Sequence, residues 1–165
     1  MAFIRHRGKT KIMYFRNTDT TNQLRDGGLV QLDDSANLEP LRNDYTDRPL
    51  GVCRQNVGLT DSTQLQIPVE VPVENAVEWL IDVDSDAGLV DSDVGRYCAV
   101  DTTGGDNVNA GDSCGMRIDR SDTLKRAVFI TGRISASRAI GVIAKTAWNS
   151  SAIAPDTGTD TVSGF

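Results

Sequence analysis

Four aspartates, Asp82, Asp84, Asp86 and Asp93, fall at relative positions 1, 3, 5 and 12 of the run Asp82-Val-Asp-Ser-Asp-Ala-Gly-Leu-Val-Asp-Ser-Asp93. Hard oxygen ligands at that spacing suit calcium. The match to an EF-hand loop is incomplete. Ala87 stands where the loop needs glycine, Gly88 comes one place late, the last ligand is Asp instead of Glu, and the flanks read as strands. Carboxylate-rich turns between strands are commonly just solvated, so the acidic-loop reading outweighs the calcium one. No other cofactor is expected.

The remaining chemistry-bearing residues point away from catalysis. The one histidine, His6, lies among basic residues, which leaves no His-centred triad, Cys-His pair or HExxH-type zinc site in a core. Cys53, Cys98 and Cys114 are odd in number and widely spaced, so they read as buried reduced thiols instead of a disulfide framework or zinc knuckle. Gly27-Gly28 and Gly104-Gly105 lack the GxGxxG or GxxxxGK[ST] context that cradles phosphates. Paired carboxylates are available anywhere in an Asp-rich chain and diagnose nothing. The expectation is a protein that is not an enzyme.

Charge is segregated beneath a formal net of −6. Residues 1 to 16 carry Arg5, Arg7, Lys9, Lys11 and Arg16 and no acid, and read as a basic arm. From Glu70 to Asp112 there are eleven acids with Arg96 as the only base. Residues 113 to 148 reverse the sign again, with seven bases against Asp119 and Asp122. Such blocks give an oriented field able to steer assembly with a complementary surface, although solvated loops that share a sign would look the same. The five cations of the arm are therefore candidate partner-binding residues, together with Trp148 just before the polar end of the chain. Nucleic acid is not expected as the partner, because the chain is acidic overall and carries few aromatic residues for a stacking platform.

These residues are to be positioned by a single domain, since 165 residues normally build one core. The expected division is a basic arm over 1–20, a β-rich domain over 21–148 and a polar tail over 149–165. In Gln64-Leu-Gln-Ile-Pro-Val-Glu-Val-Pro-Val-Glu74 apolar and polar or proline residues alternate strictly, which reads as a half-buried strand. Pro68 and Pro72 remove two N–H groups from one lateral side, so this is expected to be an edge strand. Further short runs are expected as strands: 11–15, 28–32, 50–54, 76–83, 96–100, 115–118, 126–134 and 139–145. Gly- and Asp-rich turns between them point to an all-β barrel or sandwich with flexible terminal arms. Asn75 to Leu80 and Ser121 to Val128 could each open a short helix instead. No apolar stretch approaches the roughly 20 residues that cross a bilayer, and the start lacks a signal-peptide core.

Several segments together resemble the capsid decoration, or cement, proteins of tailed bacteriophages. They are Gly27-Gly-Leu-Val-Gln-Leu32, Arg48-Pro-Leu-Gly-Val-Cys53, the Ile-Pro-Val-Glu-Val run, Leu89-Val-Asp-Ser-Asp-Val-Gly-Arg-Tyr-Cys-Ala-Val100 and Ile140-Gly-Val-Ile143. The likeness covers roughly residues 20 to 146. The basic arm, acidic block and polar tail depart from the short members of that group. The resemblance implies an often oligomeric barrel-like subunit, made in the host cytoplasm, that binds the outside of a phage head and bridges neighbouring major capsid subunits. A rival expectation from the residues is a calcium-dependent adhesion or carbohydrate-binding β-domain using Asp82, Asp84, Asp86 and Asp93.

Overall fold

The structure is a computed structural model, and it describes residues 3–17, 23–33, 36–41, 49–58, 64–73, 77–84, 88–101, 114–120 and 127–143. Among them the fold is all-β. In chain order the strands are β1 (Phe3–Arg7), β2 (Thr10–Asn17), β3 (Leu29–Leu32), β4 (Leu38–Pro40), β5 (Gly51–Cys53), β6 (Gln64–Pro72) and β7 (Glu78–Asp82). A 3-10 turn over Asp91–Asp93 then precedes β8 (Tyr97–Asp101), β9 (Arg117–Asp119), β10 (Val128–Ser135) and β11 (Arg138–Ile143).

They form two sheets whose strand pairs are antiparallel. The first runs β1-β7-β11-β10-β8-β9 and the second β2-β6-β5-β3-β4. Both curl without closing. In the first, Val83 just past β7 forms a parallel bridge to Ile118 of β9, and the Asp84 N–H donates to the Ile118 carbonyl at 3.0 Å. In the second, the marginal strands β2 and β4 approach within 8 Å, Cα to Cα.

Period-2 alternation sorts the side chains into two apolar clusters. The larger joins Phe3, Trp79, Ile81, Val128, Ile130 and Ala139 of the first sheet to Leu29, Leu41 and Val52 from the second sheet's side. The smaller fills the curl of the second sheet with Leu24, Val30, Leu38, Cys53, Ile67, Val69 and Val71. Adjacent residues Leu29 and Val30, like Val52 and Cys53, point into different clusters, so short β3 and β5 form the wall between them.

Two sequence expectations change. The segment expected as a basic arm is, over residues 3–17, two strands, one in each sheet. Its charges sit beside enough apolar anchors to be held: Phe3 is fully buried and Met13 and Phe15 pack on the smaller cluster. The expected edge strand, β6, instead lies inside its sheet between β2 and β5. The Pro68 carbonyl accepts from the Arg54 N–H at 2.9 Å, so Pro68 and Pro72 do turn their missing donors toward β5. Their effect is a short partner: β5 pairs with β6 only at Glu70 and Val69, between the two prolines. Glu78 to Leu80 belong to a strand, as the run 76–83 was read, and not to the alternative helix. The Ser121 to Arg126 stretch of the other helix alternative lies outside the described residues, as does the tail.

Candidate docking surface

The N-terminal cations are presented by a crossover. β1 pairs with β7, the chain turns at Gly8 with a positive φ of 100°, and β2 joins the other sheet against β6. Glycine adopts that left-handed conformation without a Cβ penalty. Register slips occur between Arg5 and Arg7 and between Phe15 and Asn17, placing His6 and Arg16 at bulges, a device that re-aims side chains at a sheet margin. Arg5, His6, Arg7, Lys9, Lys11 and Arg16 are all exposed. On β2, Ile12 and Tyr14 are 47% and 65% exposed and share the face opposite Met13 and Phe15.

A charged network beneath this crossover ties the two sheets together. Glu70 of β6 is 8% exposed. It accepts from Arg54 Nε at 2.8 Å and from the Thr10 hydroxyl at 2.6 Å, and Arg5 Nε lies 3.4 Å away. Arg54 also donates to the Phe3 carbonyl at 3.2 Å, and its guanidinium lies 5.9 Å from the Trp79 ring centroid. Burial alone would push the Glu70 carboxyl up, but the Thr10 and Arg54 hydrogen bonds and the charges of Arg54 and Arg5 outweigh it and hold it below the usual value. Arg5 is thus both a member of the exposed array and an anchor for it.

The acidic run is organised by arginines from the later basic block. Arg138 Nη2 meets Asp82 Oδ1 at 3.2 Å, and Arg133 Nη1 meets Asp91 Oδ1 at 3.1 Å. Asp93 is 3% exposed; its carboxylate takes Arg120 Nε at 3.0 Å and the Val90 N–H at 2.9 Å. Arg120 and Arg133 also donate to the Gly88 and Leu89 carbonyls. Much of the charge segregation read from the sequence therefore closes on itself within the chain.

Of the calcium candidates, Asp82 ends β7, Asp84 follows it and Asp93 closes the 3-10 turn, whereas Asp86 lies outside the described residues. Among the described residues no three His, Cys, Asp or Glu side chains group so as to hold a metal ion. Trp148 lies outside the described residues. Burial pushes the Cys53 and Cys98 thiols up to about 11 and raises that of Cys114. The sequence reading missed Arg54, a lone cation after a short strand. Its only signal was its place just past β5, where chain order alone does not reveal Glu70 as a neighbour.

No protein-family model matches the chain, and neither a curated protein nor a solved structure does.

Proposed function

We propose that this chain is a structural protein of a phage head that docks on the outer surface of the shell and staples neighbouring major capsid subunits. The observation that carries the reading is the set of exposed cations Arg5, Arg7, Lys9, Lys11 and Arg16 on β1, β2 and the turn between them, with exposed Ile12 and Tyr14 on β2. An acidic shell surface would meet it with complementary charge, while the two apolar side chains supply contact that salt does not screen. Because strands hold the array, docking costs little ordering entropy compared with a free arm. Repetition over a shell multiplies a modest contact by effective concentration, and a homo-oligomer would multiply it again.

Mixing the purified protein with undecorated heads and pelleting them tests the proposal. The protein should co-sediment. Replacing Arg7, Lys9, Lys11 and Arg16 together by Ser should weaken attachment strongly near 0.05 M salt and much less near 1 M, where the screening length shrinks to about 3 Å. Failure of the native protein to pellet at any salt concentration would overturn the proposal. An unchanged salt profile in the variant would remove the charge mechanism.

A further inference from the structure

The ends of β7, β9 and the β10–β11 hairpin converge, away from the cationic array, on an open pocket of about 470 Å³. The elements are tied there by backbone: the Val83 N–H donates to the Ser137 carbonyl at 3.0 Å and the Asp84 N–H to the Ile118 carbonyl at 3.0 Å. Opposite register on β7 and β11 brings Asp82 against Arg138, so one carboxylate and one guanidinium are held as a cross-strand ion pair on one wall. On the hairpin tip the Ser135 and Ser137 hydroxyls lie 3.3 Å apart. Ile134, 57% exposed, adds an apolar wall. Arg117, at the start of β9, also lines the pocket; its backbone pairs with Asp101 of β8 and its side chain is exposed.

These groups define a ligand. Among the described residues of the lining, two guanidiniums stand against one carboxylate, in a chain whose net charge is −6. Arg117 offers a planar fork of donors that matches a carboxylate bidentately. Asp82, Ser135 and Ser137 offer acceptors and rotatable hydroxyls suited to neighbouring hydroxyl groups, and Ile134 suits a face of C–H bonds. We infer that this pocket binds a carboxylate-bearing sugar of the uronic-acid type, the carboxylate on Arg117 and the ring hydroxyls toward Asp82, Ser135 and Ser137. The site is separate from the cationic array and needs no metal ion.

Titrating the 15N-labelled full chain with glucuronate, glucose or acetate at constant ionic strength, followed by amide and arginine Nε–H spectra, tests the inference. Glucuronate should give saturable shifts at the Val83, Arg117, Ile118 and Ser137 amides and at the Arg117 Nε–H. Glucose and acetate should bind at least tenfold more weakly. Arg117→Gln should weaken glucuronate at least tenfold with the rest of the spectrum unchanged, and Ser137→Ala should weaken it severalfold. Acetate binding as well as glucuronate would reduce the pocket to an adventitious anion site and overturn the inference. So would the absence of saturable shifts, or shifts that persist in Arg117→Gln.

Discussion

Glu70 meets Arg54, Arg5 and Thr10 at the crossover, and these neighbours make its charge testable. The Arg54–Glu70 pair is only partly shielded, with side chains 20% and 10% exposed, so it lies between a surface pair and a buried one. Glu70→Gln keeps the shape but leaves Arg54 without its closest anion; at pH 7 the expected loss is about 1.5–3 kcal/mol, the scale of a hydrogen bond to a charged group. The pH dependence follows from the direction of the shift. The folded carboxyl titrates below its ordinary value of 4.5, so its contribution is fully present above that value and fades as pH falls through the folded one. Urea melts of the native and Gln proteins should therefore differ most near neutrality and converge as pH falls below 4.5. A gap that stays constant down to pH 3 would mean that the carboxylate charge does not matter and that only the packing of the side chain does.

At the scale of strands, the sequence revealed elements better than neighbours. Strict alternation from Ile67 to Val71 announced β6, and β-branched runs announced β3, β5, β7, β8, β10 and β11. β1 was hidden because Arg5, His6 and Arg7 follow its apolar start, and β4 because three residues ending in Pro40 carry no periodicity. The prolines of β6 were read for the correct lateral side but the wrong outcome, since a ladder can tolerate two missing donors when the partner spans only the gap between them. The same fitting accounts for Gly51. A Cβ built there would lie 2.5 Å from the Glu70 carbonyl oxygen and 2.9 Å from Val69 Cγ1, where β5 crosses β6. Backbone cannot give way as a flexible side chain can, so Gly51→Ala should cost roughly 1–3 kcal/mol by overpacking. Gly95→Ala is the informative contrast: no atom lies within 4 Å of its added Cβ, so its cost comes only from a positive φ of 88°. Thermal melts should show the Gly51 variant losing more, and equal losses would deny the close approach. The candidate docking residues were equally legible as a cluster of like charge, yet their fixed presentation depended on β6 and β7, distant in sequence.

For the whole molecule, the question is whether two curled sheets with two apolar clusters unfold as one body. β3 and β5 argue that they do, because consecutive residues of each feed both clusters and neither cluster can open without disturbing that wall. The ion network at the crossover adds a second tie, linking β1 and Trp79 of one sheet to β6 of the other through Arg54. Two natural reporters lie on opposite sides of the wall. Trp79, fully buried, reads the larger cluster by fluorescence, and Cys53, fully buried with its thiol held up to about 11, reads the smaller by its reactivity. A thiol reacts as the thiolate, so Cys53 is doubly protected while folded, by access and by proton affinity. In a urea series on a Trp148→Phe background, where Trp79 is the sole tryptophan, peptide-resolved alkylation of Cys53 in short pulses should rise at the same midpoint as the Trp79 emission shift, which is the test of a single cooperative transition. Trp79→Phe should move the Cys53 midpoint as well, by destabilising a wall the residue does not itself belong to. If Cys53 became reactive well below the fluorescence midpoint, the second sheet would be an independent unit, and the cationic array at the crossover would rest on a joint instead of a rigid seam.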